Sequence, residues 1–137
     1  MKRFILSSLA VFATFASLDM YIHTYSLKAL YVQTAHLWRS GADIGGYLWL
    51  LWAGYGVLAP LFVFIFSKGY EAGKSTLEQG MRYGFWIGLL LAAPGSIFAY
   101  VVMPIPDILA VAWFVTGLFE ALVAGLVLGI VYRPKEA

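Results

Sequence analysis

Cysteine is absent from the 137 residues of this chain. Disulfides, thiolate metal sites, iron–sulfur clusters and cysteine nucleophiles are therefore excluded. Charged residues are also scarce, at 12% of the sequence against about a quarter in ordinary globular domains. The net charge is only +2, and the basic residues fall in small groups instead of a stripe that could follow phosphates. Nucleic acid is therefore not an expected partner.

Hydrophobic residues, by contrast, make up 62% of the chain. Four stretches reach the roughly 20 apolar residues that a helix needs to cross a hydrocarbon core; they cover residues 4–25, 45–67, 81–103 and 107–132. Because these runs are continuous and do not alternate with polar residues, they favour helices over the strands of a membrane barrel. The sequence predicts a single transmembrane domain over residues 1–137, an all-α four-helix bundle in a lipid bilayer whose first stretch is retained as a span and not cleaved as a signal peptide.

The distribution of basic residues predicts the orientation. Lys28 and Arg39 stand alone in the first connection, whereas the other seven basic residues would share the opposite side. These seven are Lys2, Arg3, Lys68, Lys74, Arg82, Arg133 and Lys135. Since cytoplasmic loops carry the excess of Lys and Arg, both termini are predicted to be cytoplasmic. A bacterial inner membrane is the expected location.

The segment 26–40 after the first span is amphipathic. Placed on a helix, it has one apolar face formed by Leu27, Leu30, Tyr31, Thr34 and Trp38. The opposite face carries Lys28, Gln33, His36 and Arg39. This pattern predicts a short helix that lies in the membrane interface or extends the first span, with Gly41, Gly45 and Gly46 ending it and His36 exposed.

Three further features concern the second and third spans. Ser75 or Thr76, followed by Glu78, is a helix-start pattern for the third span. Pro60 and Pro94 lie inside the second and third spans, where each removes a backbone donor, so kinks are expected at both positions.

Small residues recur at four-residue spacing in the last two spans. Gly80, Gly84, Gly88 and Ala92 form one ladder, and Gly117, Ala121, Gly125 and Gly129 form the other. Such ladders let helix backbones approach closely in lipid. The first interpretation is that the two ladders pack against each other in a hairpin; the alternative is that one forms a homodimer seam or a docking surface for another membrane subunit.

Two acidic residues, Asp19 and Glu120, lie inside predicted spans, where a charged side chain costs several kcal/mol unless it has a partner. His23 follows Asp19 by one helical turn, so these two side chains can touch. At 1.5 Å per residue, Asp19 lies about 22 Å and Glu120 about 18 Å from the cytoplasmic ends of their spans. If the first and fourth spans are neighbours, the three residues could meet.

Two interpretations of this group stay open. In the functional one, Asp19 and Glu120 exchange a proton or hold a cation, and His23 links them to the outside. In the structural one, Asp19 bonds His23 or a hydroxyl such as that of Thr24, while Glu120, protonated, bonds Thr116 or Tyr55 and orders the helices.

The sequence lacks the spacings that mark catalytic or metal centres. It has no H-E-x-x-H, no E-x-x-H, no phosphate loop and no nucleophile elbow. No enzymatic activity, no cofactor and no metal site are therefore predicted.

Several short strings give the chain a diffuse resemblance over most of its length. They are "SLD" in the first span, "LW" in the outer connection, "KGYEAG" and "EQGMRYG" around the cytoplasmic loop, "MPIP" before the last span and "GLFEALVAGLVLG" within it. In these it resembles small four-span proteins of the bacterial inner membrane that carry no assigned function. The resemblance implies a fold and a membrane location, and it implies no activity.

Two functional hypotheses follow. The first is a non-enzymatic accessory or self-associating subunit that packs through its glycine seams, as a homodimer or within a larger membrane complex. The second is a minimal proton- or cation-coupled transporter built around Asp19, His23 and Glu120.

Overall fold

The computed structural model describes residues 1–132 and is all-α, as predicted. Its elements are α1 (Lys2–Tyr21), which continues into a π-helical turn (Ile22–Ser26), then α2 (Lys28–Gln33), a 3-10 turn (Ala35–Leu37), α3 (Gly41–Gly69), α4 (Thr76–Val102) and α5 (Asp107–Val131). Arg133 and Lys135, which enter the orientation argument, lie outside the described residues.

Four of these helices are long and apolar enough to span a membrane. They contain 25 to 29 residues, counting the π-helical turn with α1, which corresponds to about 37 to 44 Å at 1.5 Å per residue. That length exceeds the roughly 30 Å hydrocarbon core of a bilayer. The chain is a multi-pass membrane protein.

Serine caps set the starts of α3 and α4. The Ser40 side chain accepts a hydrogen bond from the backbone N–H of Asp43 at 3.2 Å, and Ser75 accepts one from Glu78 at 3.3 Å. The predicted start of the third span at Ser75 and Glu78 is confirmed. Because Ser40 satisfies an otherwise unpaired N–H, α3 already begins at Gly41.

The prediction that Gly41, Gly45 and Gly46 end the amphipathic segment is therefore wrong, since all three lie in the first turns of α3. The segment ends earlier, where Trp38 adopts an extended backbone. Its predicted faces are confirmed. Leu27 and Thr34 are buried, Leu30, Tyr31 and Trp38 are half-buried, and every residue of the charged face, including His36, is exposed.

The four long helices form a bundle in which α1 lies between α3 and the α4–α5 pair. α4 and α5 make an antiparallel hairpin, and α1 packs against both α3 and α5. We call the end of the bundle that holds Lys2, Gly69, Thr76 and Val131 the basic end, and the other the α2 end. α3 and α4 continue without interruption through Pro60 and Pro94.

At the basic end, aromatic residues join α3 to the hairpin. Tyr83 donates its hydroxyl to the carbonyl of Phe62 at 2.7 Å, and the two rings lie 4.6 Å apart. Phe66 contacts both Tyr83 and Tyr132, at 5.4 and 5.1 Å between ring centroids. These contacts close the bundle at that end.

The two glycine ladders face each other inside the α4–α5 hairpin. A Cβ added to Gly80 would collide with the carbonyl oxygen of Gly125 and lie 2.9 Å from the Cα of Gly129. One added to Gly84 would collide with the carbonyl of Ala121, and one added to Gly88 would lie 2.8 Å from the Ala121 Cβ. Farther along, the Gly117 position meets the Ala92 Cβ at 3.1 Å. The seams are thus occupied within one chain.

The first part of α3, residues 41–54, is little covered by the other helices, although the Trp52 ring lies 6.2 Å from that of Phe12 in α1. All of these residues are exposed, and a Cβ added at Gly45, Gly46 or Gly54 would meet nothing within 4 Å. Among the described residues, this is the longest stretch of a spanning helix without a buried or half-buried position.

Candidate functional site

Asp19, His23 and Glu120 meet in the interior of the bundle. Asp19 and His23 lie one turn apart on the first span, and the Nε2 atom of His23 is 3.3 Å from Oδ1 of Asp19. Glu120 comes from α5, and one ligating atom from each of the three residues lies within 4.8 Å of the others. The structure therefore brings together all three polar residues that the sequence singled out, because α1 and α5 are neighbours.

His23 lies in the π-helical turn Ile22–Ser26, where the N–H of Leu27 bonds the carbonyl of Ile22 at 2.9 Å, five residues back. A π-helical turn widens a helix locally and is frequent at functional sites. This turn contains neither Pro nor Gly, so the sequence offers no signal for it.

The hydroxyl of Tyr31, in α2, contacts the second ring nitrogen of His23. The Nδ1 atom of His23 lies 2.5 Å from the Tyr31 hydroxyl, and the two rings stack with centroids 5.7 Å apart. The same hydroxyl accepts a hydrogen bond from Trp113 Nε1 of α5 at 2.7 Å. Sequence reasoning placed Tyr31 on the inward face of its helix but did not connect it to His23.

These contacts determine how His23 is oriented. An indole N–H only donates, so the oxygen of Tyr31 accepts from Trp113 and its own proton is free for Nδ1 of His23. Burial raises the pKa of Tyr31 above the usual phenolic value, so this hydroxyl keeps its proton at neutral pH. A neutral His23 that accepts at Nδ1 carries its hydrogen on Nε2, the atom that faces Asp19.

Two of the partners that a purely structural interpretation assigns to the carboxylates, Thr24 and Thr116, are engaged elsewhere, whereas His23 contacts Asp19, as both interpretations expect. Thr24 contacts the sulfur of Met20 at 3.6 Å, and Thr116 donates to the carbonyl of Ala112 at 2.8 Å. Tyr55 of α3 lies near the Asp19 carboxylate. Among the described residues, neither Asp19 nor Glu120 pairs with a Lys or an Arg.

Exposure rises along the site from Glu120 to His23. Glu120 is 7% exposed, whereas the side chains of Asp19 and His23 are 20% and 39% exposed. Toward the basic end, an apolar core formed by residues such as Val11, Phe62 and Leu128 closes the bundle. His23 is thus the most exposed member of the group, and an apolar core lies between Glu120 and the basic end.

Two cavities lie away from this group. One of about 340 Å³ lies between α3 and α4 and is lined by residues including Gln79 and Tyr83. Another of about 350 Å³ lies between α4 and α5 and is lined almost entirely by apolar groups, with Ser96 and Tyr100 among them. Neither is lined by a carboxylate of the group.

No family model, curated protein or solved structure matches this chain. The resemblance to small four-span membrane proteins therefore stands only at the level of four helices of membrane-spanning length. Function has to be argued from the geometry of the site.

Chemically, the group offers two carboxylate oxygens and one imidazole nitrogen, a set that can hold a cation. Among the described residues, no other group of three or more Asp, Glu or His side chains has this geometry. The sequence predicted the three residues but no metal site, because a constellation drawn from two spans has no fixed spacing along the chain.

Proposed function

We propose that this protein is a non-enzymatic membrane carrier that takes up a cation at Asp19, His23 and Glu120. The observation that supports the proposal is the convergence of three ligating side chains from α1 and α5 within 4.8 Å. This is the second of the two hypotheses that the sequence leaves open, and the geometry favours it.

The energetic cost of the site supports a functional role. A carboxylate within the membrane is costly and is typical of ion and proton pathways. One such group could be kept for packing, but two within 4.8 Å of one ligating nitrogen also repel each other when ionised. A bound cation removes that repulsion and replaces the water that both groups lose.

Access to the site also fits a carrier. The half-exposed His23 is the entrance, while the core around Val11, Phe62 and Leu128 separates Glu120 from the basic end. This arrangement corresponds to a conformation that is open on one side. Transport requires that the core separate during the cycle, as packed helices do in domain and helix motions.

We further propose that the basic end faces the cytoplasm of a bacterial cell, with both termini on that side. Lys68, Lys74 and Arg82 all lie at this end, and positive charge marks cytoplasmic loops. The carrier would then load at its α2 end, from the outside.

The test is ion flux in proteoliposomes. Purified protein is reconstituted, a cation or proton gradient is imposed, and internal concentration is followed with an indicator dye for each ion. We expect flux with the native chain and a loss of at least tenfold in Asp19→Asn and Glu120→Gln. His36→Gln is the matched control, because His36 is exposed and lies outside the site.

Flux that persists unchanged in both carboxylate variants, or no flux for any cation tested, would overturn the proposal. Each variant is first checked for a monodisperse peak in detergent and for helical circular dichroism, so that a loss of flux is not a loss of fold.

A second candidate function, a self-associating subunit, is favoured by the exposed residues 41–54 of α3. The glycine seams are filled by the α4–α5 hairpin, so the surface that we propose for a second copy is the exposed start of α3. Because the chain has no cysteine, Leu50→Cys can be crosslinked selectively. Dimer formation by this variant, and not by Leu90→Cys on exposed α4, supports association; equal crosslinking of both contradicts it.

A further inference from the structure

We infer that Asp19, His23 and Glu120 bind one divalent first-row transition-metal ion, with Tyr31 as the positioning residue for His23. This inference rests on the proposed function, since it names the class of cation that the carrier site takes. It reverses the sequence-based expectation that the chain has no metal site.

The ligand set selects the class of ion. Imidazole nitrogen suits zinc, iron and nickel, and carboxylate oxygen suits manganese and magnesium. A set of one imidazole from His23 and two carboxylates from Asp19 and Glu120 therefore favours ions such as Mn²⁺, Fe²⁺, Co²⁺ or Zn²⁺. Calcium prefers six to eight oxygen ligands and magnesium keeps most of its water, so both should bind poorly.

The distances suit such an ion. With metal–ligand bonds of about 2.1 Å, two ligands at a tetrahedral angle lie about 3.4 Å apart. The separation between Nε2 of His23 and Oδ1 of Asp19 is 3.3 Å, longer than the 2.7 to 2.9 Å typical of a charge-assisted hydrogen bond. The largest separation in the group is at most 4.8 Å, so it reaches about 3.4 Å with no more than about 1.4 Å of side-chain movement.

The charge of the three ligands also bears on the class of ion. A metal ion binds Asp19 and Glu120 as ionised carboxylates and His23 as a neutral imidazole, so these ligands together carry a charge of about −2, and no Lys or Arg within the described part of the chain pairs with Asp19 or Glu120. A divalent ion neutralises this charge completely, whereas a monovalent ion leaves half of it in place. The environment therefore favours a divalent ion.

The contacts of His23 are those of a metal-binding histidine. Such histidines usually donate a hydrogen bond from the ring nitrogen that does not bind the metal, and the acceptor fixes the orientation of the ring. Here Nδ1 lies 2.5 Å from Tyr31, which is itself fixed by Trp113 at 2.7 Å. When Nε2 binds a metal, Nδ1 carries the hydrogen and donates it to the Tyr31 oxygen. Tyr31 can reverse its role in this bond because a hydroxyl both donates and accepts.

Three protein ligands leave open coordination positions, which water can fill. Open positions on the side of the half-exposed His23 allow an ion to enter and leave. This is a property expected of a carrier, in contrast to the closed four-ligand sites that serve structure.

The experiment uses the full chain in nanodiscs, purified through a tag without histidines, because a polyhistidine tag would bind the same ions. Binding of Zn²⁺, Mn²⁺ and Co²⁺ is measured by calorimetry, with Mg²⁺ and Ca²⁺ as comparison ions. We expect one transition ion per chain, at least 100-fold weaker binding in Asp19→Asn, His23→Gln and Glu120→Gln, and no change in His36→Gln. Equal binding by the variants, no transition-ion binding, or a preference for Mg²⁺ or Ca²⁺ overturns the inference.

The native protein offers a test that does not depend on the folding of any variant. X-ray absorption of the zinc-loaded chain should show one imidazole ligand and oxygen neighbours; none or two imidazoles would contradict the site. Tyr31→Phe should weaken binding about 10- to 100-fold and shift the visible ligand-field bands of bound Co²⁺. An unchanged Co²⁺ spectrum would remove Tyr31 from the site.

The two proposals fail separately. Stoichiometric zinc binding without flux in liposomes leaves the metal site and overturns the carrier. Flux of protons or monovalent cations that depends on Asp19, together with no transition-ion binding, leaves the carrier and overturns the metal site.

Discussion

The indole N–H of Trp113 donates to the Tyr31 hydroxyl at 2.7 Å, although 82 residues separate the two along the chain. This bond attaches the short helix α2 to α5 above the candidate site. Trp38 adds to the contact, with its ring 5.5 Å from Tyr31 and 5.9 Å from Trp113. The position of α2 therefore depends on aromatic contacts more than on its own six residues, since so short a helix is not stable alone.

Trp113→Phe should loosen α2 while leaving the four spans folded. A hydrogen bond of this kind contributes about 1 kcal/mol, so the amides of residues 28–37 should exchange with deuterium about five times faster. Hydrogen exchange with mass spectrometry in nanodiscs measures this directly. Trp86→Phe on exposed α4 is the control, and equal protection of α2 in the native chain and in Trp113→Phe would contradict the assigned role.

Gly84→Ala tests the close approach of α4 and α5. The added methyl would collide with the carbonyl of Ala121 and lie 3.1 Å from the Cα of Gly125, and these backbone atoms cannot move aside cheaply. Overpacking of this kind costs about 1 to 3 kcal/mol. We expect a lower free energy of unfolding in a denaturant titration followed by circular dichroism.

The same helix provides the control for this prediction. A Cβ added at Gly95 meets nothing within 4 Å, so Gly95→Ala should be neutral or stabilise α4 by up to about 1 kcal/mol through helix propensity. If the two alanine variants are equally stable, the seam does not require glycine.

Much of this fold could be predicted because membrane helices leave strong local signals. The length of the apolar runs identified the four spans. The apolar face of segment 26–40 was predicted correctly because the helical period determines which side chains share a face. The start of α3 was placed four residues late, at residue 45 instead of Gly41. Glycine was taken there as a stop, whereas the Ser40 cap stabilises a helix start at that point.

The candidate site could be predicted only in part. Asp19 and Glu120 stood out because charge is rare in a span, and His23 followed from its spacing to Asp19. The contribution of Tyr31 and Trp113 could not be found in this way, since it depends on α2 folding back onto α5. The π-helical turn that carries His23 likewise depends on packing and has no sequence marker.

The loop between α3 and α4 should respond to acid. Lys74 forms an ion pair and hydrogen bond with Glu71, and this contact lowers the pKa of Glu71 below its usual value. A lowered folded-state pKa means that the pair stabilises the loop above the unfolded pKa and that this contribution is lost as the pH falls through the folded value. This stabilisation of the loop is therefore lost below about pH 4.3, the ordinary pKa of a Glu side chain.

A spin label at Ala72→Cys should report this change as a gain in mobility on acidification. In Glu71→Gln the label should be mobile already at pH 7 and insensitive to acid. High salt should reduce the difference, because the pair is exposed and screened. A native loop whose mobility does not change between pH 7 and pH 3 would contradict the prediction.

Ser7 is buried completely in α1, and its hydroxyl has no hydrogen-bond partner within the described residues. The neighbouring hydroxyls behave differently: Ser8 donates to the carbonyl of Phe4 at 2.8 Å, and Thr14 donates to that of Ala10 at the same distance. An unsatisfied buried hydroxyl costs about 1 kcal/mol or more, so Ser7→Ala should raise the free energy of unfolding by about that amount. Ser8→Ala, which removes a satisfied hydroxyl, should change it little or lower it. A denaturant titration of both variants in one detergent measures the two free energies of unfolding. If Ser7→Ala is the less stable variant, the Ser7 hydroxyl has a partner in the membrane. The core between Glu120 and the basic end would then be more polar than its side chains indicate.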